Sequence, residues 1–129
     1  TFMNLSGEAV RFVTQHTPKT FRVEEDLWVI HDDIDIDFGR VKIDRNRSAG
    51  GHNGIKNIID SVGTKDFIRF RVGIRTEKRD LDTQEYVLKR FLKVERESIP
   101  DILSLARQAL ECTLEQGFDF AQNLTNGKK

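Results

Sequence analysis

The sequence predicts an α/β fold, a single-domain sandwich in which a mixed, mostly parallel sheet is flanked by helices. Three observations lead to this class. Short segments rich in β-branched and apolar residues alternate along the chain with segments whose apolar residues follow a helical period. The 129 residues have about the length of one domain, and a hydrophobic content of 37% suffices for one packed core. No linker, repeat or low-complexity segment divides residues 1–129, so we expect a single domain.

The N-terminal region is expected to contain a strand end and a helix. Thr1–Asn4 is typical of the end of a strand. A helix then extends to about His16, because Asn4 and Ser6 are both residue types that cap helix starts. The residues expected on one side of this helix are Val10, Val13 and Thr14.

Two strands are expected after this helix. Leu27–Ile34 begins with a continuous apolar run, which is typical of a strand buried on both faces. A turn at Phe38 and Gly39 then leads into a short strand at Val41–Ile43. Its polar alternation favours a place toward the edge of the sheet.

A loop and a helix are expected in the middle of the chain. Arg45–Gly51 is the predicted loop. The apolar residues after it follow the i, i+3, i+4, i+7 rule, and they are Ile55, Ile58, Ile59 and Val62. The helix is therefore predicted from about Gly54 to Val62, with Gly63 as its end.

A strand at Phe67–Ile74 and two further helices complete the expected order. Alternation places apolar side chains on one face of this strand, and the guanidinium groups of Arg69 and Arg71 on the other. The spacing of Asp82 and Glu85 is that of a capping box, which starts a helix to about Phe91. A long amphipathic helix then covers about Val94–Gln116 and ends at Gly117.

Composition excludes several classes of protein. No apolar run approaches the roughly 18 residues that cross a bilayer, and no signal segment opens the sequence, so a cytoplasmic protein is expected. The single cysteine excludes an internal disulfide and a cysteine-based zinc site. The formal net charge of zero conceals two opposed blocks, because residues 40–79 carry eleven basic and four acidic side chains, a net charge of +7. Such a basic block could bind the phosphate backbone of a nucleic acid, and the alternative is an ordinary solvent-exposed surface.

The segment Gly50–Gly54, which we call the glycine segment, joins the loop to the start of a helix. Glycines let a ligand approach the backbone, and the amides of a first helical turn attract anions. His52 adds a titratable side chain and Asn53 a fixed hydrogen-bonding one. The segment therefore favours a phosphate, carboxylate or oxyanion site, and the alternative is a simple turn with Asn53 as the helix cap.

A second polar segment, His31–Asp37, follows the apolar start of the first full strand, where open α/β sheets place ligands. Asp32 points to the apolar face of an extended chain and needs a partner there. Three aspartates share the other face with His31, and they are Asp33, Asp35 and Asp37. They suit either a solvated face or a divalent metal site. From the residues alone, His52 with Asp32 is the candidate pair of base and orienting acid.

Five motifs resemble, in order and spacing, those of the bacterial-type peptidyl-tRNA hydrolases. They are Thr1-Phe2-Met3-Asn4-Leu5-Ser6-Gly7, His31-Asp32-Asp33-Ile34-Asp35, Gly50-Gly51-His52-Asn53-Gly54, Arg69-Phe70-Arg71-Val72-Gly73-Ile74, and Tyr86-Val87-Leu88 before Phe91. The resemblance implies the hydrolase fold and an activity that cleaves the ester joining a peptide to the 3′ end of tRNA. It also implies that the enzyme needs no metal or cofactor. Its expected partner is peptidyl-tRNA and not a membrane, and the intact enzyme is expected to be monomeric.

The resemblance also implies roles for individual residues. Asp32 matches the aspartate that holds the catalytic histidine in its basic form, and Asn4 matches an asparagine near the catalytic centre. The residues that match substrate or tRNA contacts are Phe2, Asn4, His52, Asn53 and Arg71.

The sequence departs from the family in two places. The family's general base is a histidine in an Arg-His-Asn-x-Gly-type motif after a Gly-Leu-Gly-Asn-Pro-Gly segment, and neither motif is present here. We therefore expect that residues 1–129 lack the N-terminal strand and the catalytic-histidine segment, and that this chain alone is inactive. In addition, Arg45–Ala49 stands where the family usually carries several glycines.

Two other functions remain open at this point. Arg45 and Arg47 suit an RNA-binding module that keeps the hydrolase scaffold without its chemistry. Asp33, Asp35 and Asp37 suit a metal-dependent phosphohydrolase.

Overall fold

The computed structural model describes residues 6–17, 19–75 and 99–127. The helices are α1 (Ser6–Gln15), α2 (Val23–Asp26), α3 (Asn53–Val62), α4 (Ile99–Gln116) and α5 (Phe118–Asn126). The strands are β1 (Trp28–Asp37), β2 (Val41–Arg45) and β3 (Ile68–Arg75). The strand end predicted at Thr1–Asn4 and the capping-box helix from Asp82 lie outside the described residues. None of the helices within the described ranges combines the length and apolar character that crossing a membrane requires.

The described strands form one mixed sheet in the order β1-β3-β2. Two ion pairs join β1 to β3, Asp33 with Arg71 and Asp37 with Arg75, and both span 38 positions of sequence. Because the sequence separation between paired residues is the same at both pairs, the two strands run in the same direction. Strand β2 runs the other way, because the backbone N–H of Gly73, near the end of β3, donates to the carbonyl of Arg40, just before β2 begins. The predicted α/β class with a mixed sheet is confirmed, and β2 lies at an edge of the described sheet.

The strand expected to be buried on both faces at its start is not. Trp28 and Val29 are half-buried, and Ile30 is 51% exposed. Among the described strands β1 has a single neighbour, β3, which accounts for the partial exposure. The Trp28 ring instead turns toward α2, where its Nε1–H donates to the carbonyl of Glu25 at 2.8 Å. The strand also continues three residues beyond its predicted end, to Asp37, and the Asp37–Arg75 pair holds this extension beside β3.

The described residues form two compact units, and every strand contributes residues to both. The first unit contains the described residues up to Val29 together with Asp44–Arg69. Its core is formed by Ile55, Ile58 and Phe67. The second unit contains Ile30–Ile43 and the described residues from Phe70 onward.

Helix α1 packs against α3 in the first unit through small and polar groups. The backbone N–H of Gly7 donates to Oδ1 of Asn57, and a Cβ at Gly7 would overlap Oγ of Ser61. Val10 packs on the core of this unit, whereas Val13 is 54% exposed. Val13 lies on the same side of the helix as Val10, but it is about 120° around the helix axis from Gly7, so it falls at the margin of the contact stripe and stays exposed.

Helices α4 and α5 pack together in the second unit. The buried stripe of α4 is Ile102, Ala106, Ala109 and Thr113. Gly117, at φ 88°, ends α4 at the predicted residue. Helix α5 was not predicted. It joins β2 through Asn126, whose side-chain amide accepts from the N–H of Ile43 at 2.8 Å and donates to its carbonyl at 3.0 Å. These hydrogen bonds occupy the backbone groups of Ile43 in an edge strand, which could otherwise pair with a strand of another chain.

Gly73 lies where the chain between β1 and β2 crosses the end of β3. A Cβ at Gly73 would overlap the carbonyl oxygen of Asp37 and would lie 2.7 Å from Cγ2 of Ile36. We expect Gly73→Ala to lower the free energy of unfolding by about 2 kcal/mol, because backbone and a packed side chain must both move. Urea denaturation measures this change.

Gly39→Ala is the matched control for Gly73→Ala. Gly39 has a φ of 88° and nothing within 4 Å of a built Cβ, so only the left-handed backbone penalises alanine there. We expect this variant to cost about 1 kcal/mol. If Gly73→Ala costs no more than Gly39→Ala, the close backbone approach is not the reason for a glycine at position 73.

Candidate functional site

The glycine segment combines a left-handed backbone with open space. Gly50 and Gly51 have φ values of 58° and 85°, and nothing lies within 4 Å of a Cβ built at either position. Glycine is therefore needed for conformation and not for lack of room. The predicted loop begins one residue late, because β2 continues to Arg45, and Asn46 adopts a φ of 53° directly after it.

His52, and not Asn53, caps helix α3. Nδ1 of His52 accepts a hydrogen bond from the backbone N–H of Ile55 at 3.1 Å. Asn53 is the first helical residue, and its side chain is exposed. Since an accepting Nδ1 uses its lone pair, the neutral ring carries its proton on Nε2. In this arrangement neither ring nitrogen of His52 has a lone pair for proton abstraction, so the expectation of His52 as an internal base is not supported.

The helix after this cap agrees with its prediction. It runs over Asn53–Val62, one residue longer at its start than expected. Gly63 ends it at φ 80°, with its N–H bonded to the carbonyl of Ile59. Ile55 and Ile58 are buried as the periodicity requires. The structure thus places Asn53 in the first turn of a helix whose apolar face is held by the core of the first unit.

The second unit contains Asp32, half-buried in β1. Nδ1 of His31 lies 2.8 Å from the backbone oxygen of Asp32. Asp33 follows with its carboxylate doubly engaged, since Oδ2 accepts from Nε of Arg71 at 2.9 Å and Oδ1 accepts from the backbone N–H of Asp35 at 2.8 Å. The backbone that carries Asp32 is therefore fixed on both sides.

The two arginines predicted on a polar strand face are both buried. Arg69 is 1% exposed and Arg71 is 6% exposed. Strand β3 is covered on both faces because each guanidinium finds acceptors inside its own unit. Arg71 pairs with Asp33, and Arg69 donates to the carbonyl oxygens of Ser48 and Lys65. The face of β3 that carries the two guanidinium groups is therefore buried, which the alternation of the sequence did not indicate.

The aspartates considered as metal ligands have other partners. Asp33 pairs with Arg71, and Asp37 pairs with Arg75 at 2.7 Å. Across the part of the chain that the structure describes, no group of three His, Cys, Asp or Glu side chains is arranged to hold a metal ion. The metal-dependent alternative therefore has no support in these residues.

The remaining candidate residues divide by position. Phe2 and Asn4 lie outside the described residues, so their roles stay predictions. His52 and Asn53 belong to the first unit, and Asp32 and Arg71 to the second. Sequence reasoning missed Asp33 as the partner of Arg71 and missed Arg69 as a buried side chain. Only the equal spacing of the pairs 33 with 71 and 37 with 75 was available as a signal, and it has meaning once the two strands are known to be parallel neighbours.

Comparison with known proteins gives a consistent result. A family model described as peptidyl-tRNA hydrolase matches residues 1–129. The peptidyl-tRNA hydrolase of Fervidobacterium nodosum is 41% identical over 126 residues, which cover 98% of this chain and 64% of that protein. The peptidyl-tRNA hydrolase of Lachnoclostridium phytofermentans is 42% identical over 129 residues, which cover 100% of this chain and 66% of that protein. The chain thus spans a little under two thirds of the length of these relatives.

Solved structures agree on the fold. The crystal structure of peptidyl-tRNA hydrolase from Acinetobacter baumannii matches with a TM-score of 0.71 at 21% identity and covers 100% of this chain and 64% of that one. A point mutant of the Acinetobacter baumannii enzyme matches with a TM-score of 0.73 at 26% identity and the same coverage.

Proposed function

Because the chain belongs to the peptidyl-tRNA hydrolase family, we propose that the protein hydrolyses the ester that joins a peptide to the 3′ end of tRNA. Water adds to the ester carbonyl carbon, the bond from that carbon to the ribose oxygen breaks, and the products are free tRNA and a peptide with a free carboxylate. The observation that carries the proposal is the family match over all 129 residues. By the same family resemblance we propose that the protein acts in the cytoplasm as a monomer.

In this mechanism Asp32 orients a histidine and stabilises its positive charge. A histidine base takes the proton of the attacking water, and a nearby carboxylate favours the imidazolium that forms. The fixed backbone around Asp32 supports this role, because orientation is useful only when the orienting group is itself held in place. Asn4 is proposed to hydrogen-bond the substrate near the reacting carbonyl, where charge develops in the transition state.

We further propose that the tRNA end is bound by the five residues that match substrate or tRNA contacts in the family. They are Phe2, Asn4, His52, Asn53 and Arg71. The exposed side chain of Asn53 at the start of α3 supports its part in this contact. The contact proposed for Arg71 has to coexist with its ion pair to Asp33, since the guanidinium is largely buried.

The proposal is tested with N-acetyl-aminoacyl-tRNA, a small peptidyl-tRNA analogue. The protein is expressed from its complete reading frame, and release of N-acetyl-amino acid is measured beside the same tRNA carrying an unblocked amino acid. We expect hydrolysis of the blocked ester and little hydrolysis of the unblocked one. Failure to release N-acetyl-amino acid from the blocked substrate would contradict the proposal.

A non-catalytic RNA-binding module is the second candidate, and a specific observation favours it. The side chains of Arg45, Arg47 and Lys56 in the first unit are all exposed. Exposed cations bind a phosphate backbone without any need for chemistry, and such binding weakens steeply with salt. RNA binding that depends on salt, persists in Asp32→Asn and is accompanied by no ester cleavage would establish this candidate instead.

A further inference from the structure

We propose that Arg69 is a positioning residue. It holds the backbone at Ser48, just before the glycine segment, and thereby positions His52 and Asn53. The anchoring is argued from contacts inside the first unit. Its effect on substrate rests on the function proposed above. Arg69 was not among the residues matched to a role in substrate binding or catalysis.

Arg69 is a buried cation whose hydrogen bonds join two separate stretches of main chain. Its Nη1 donates to the carbonyl oxygen of Ser48 at 2.9 Å, and its Nη2 donates to the carbonyl oxygen of Lys65 at 2.8 Å. The guanidinium also lies over the ring of Phe67, 4.5 Å from the ring centroid. A buried charge is costly unless it is hydrogen-bonded, so these contacts hold one another in place.

The anchored carbonyl of Ser48 lies two residues before the glycines. Ala49, next in the chain, packs against the core that includes Phe67, and its carbonyl oxygen accepts from the backbone N–H of His52 at 3.0 Å. His52 in turn caps α3 through Ile55. A continuous series of short contacts therefore runs from the guanidinium to the first turn of α3.

Gly50 and Gly51 lie between these fixed points and are exposed. Their left-handed backbone and the open space around them give this pair the greatest freedom in the segment. With Ser48 and Ala49 held, that freedom is confined to two residues. Without the Arg69 contact, it would extend back along the loop toward Arg45, and the amide that pairs His52 with Ala49 would open more often.

Arginine is required for this arrangement, and lysine does not replace it. The planar fork of a guanidinium reaches two carbonyl oxygens at once and stacks on an aromatic ring, whereas an ammonium is a compact point charge. Arg69→Lys should therefore keep the charge and lose one anchor. The matched control is Arg75→Lys in the same strand, because the Arg75–Asp37 pair is more exposed and lies in the other unit.

Hydrogen exchange of the full-length protein tests the anchoring. We expect Arg69→Lys to raise exchange of the His52 amide, which is bonded to the carbonyl of Ala49, by about tenfold or more, since hydrogen bonds to charged groups contribute that much. Exchange in α4 should stay within about twofold, and Arg75→Lys should leave the His52 amide unchanged. Equal increases throughout the protein, or no increase at His52, would overturn the proposal.

The kinetic readout concerns the substrate. With N-acetyl-aminoacyl-tRNA we expect Arg69→Lys to raise KM about fivefold while kcat changes less than about twofold, because the variant loosens a binding element. A local increase in exchange with unchanged KM would overturn the link to substrate. If the wild-type protein hydrolyses nothing, the proposed function fails, and the exchange experiment still decides the anchoring.

A measurement on the wild type covers the case in which Arg69→Lys does not fold. The N–H of His52 should be protected, although it lies directly after two exposed glycines. Its exchange should be at least about tenfold slower than that of Gly50 and Gly51. Exchange of His52 as fast as that of the two glycines would overturn the anchoring.

Discussion

Replacing Asp32 with asparagine is expected to lower kcat/KM for peptidyl-tRNA hydrolysis by about a thousandfold. General acid–base catalysis contributes roughly 10²- to 10⁴-fold to a rate, and an amide neither orients the histidine in the same way nor stabilises its charge. Asparagine has nearly the size of aspartate, so stability should change little. The rate is measured as release of N-acetyl-amino acid from blocked aminoacyl-tRNA at limiting substrate.

The chain offers a matched control three positions away. Asp35 lies in the same strand and its side chain is exposed. Asp35→Asn removes one charge from the same region, and we expect it to leave kcat/KM within about twofold. Equal losses in the two variants would mean that the local charge matters and that Asp32 has no special role. Full activity of Asp32→Asn would remove Asp32 from the mechanism altogether.

The second large effect is expected at the buried ion pair of β1 and β3. Arg71→Met should lower the free energy of unfolding by about 3 kcal/mol, because it leaves the carboxylate of Asp33, 14% exposed, without its guanidinium. Methionine preserves much of the apolar stem, so the loss reports the charge more than the packing. Urea denaturation of the variant and the wild type measures it.

The double variant separates charge from packing. Arg71→Met combined with Asp33→Asn removes both charges and should recover a large part of the loss, since no unpaired charge remains buried. Arg75→Met is the surface control, because Asp37 is more than half exposed, and we expect it to cost less than about 1 kcal/mol. If the double variant is no more stable than Arg71→Met, the buried carboxylate is not the source of the loss.

Several local features could be predicted because their causes lie within a few residues. Helix α3 follows from apolar positions three and four apart, and its end at Gly63 follows from a residue that adopts φ 80° without strain. The end of α4 at Gly117 has the same basis. The edge position of β2 within the described sheet also follows from its short alternating pattern.

Other features could not be predicted because local patterns were misleading. The apolar start of β1 suggested burial, yet Ile30 is exposed, because β1 is an edge strand of the described sheet. Helix α5 lacked a strong apolar stripe, and its amide contacts with Ile43 involve residues about eighty positions apart in the chain. From the residues alone, His52 was the candidate base, whereas in the structure its Nδ1 caps a helix, and this depends on the exact backbone at the start of α3.

The fold class, the family and the candidate residues could be read from the sequence, because ordered motifs and short periodicities need no knowledge of which strands are neighbours. The roles of the β3 arginines depend on contacts that form in the folded chain. Alternation along the strand places Arg69 and Arg71 on the same face, but it does not reveal whether acceptors meet them there. Those acceptors, the carbonyl oxygen of Ser48 and the carboxylate of Asp33, are 21 and 38 positions away, and only the register of the folded chain brings them into hydrogen-bond range.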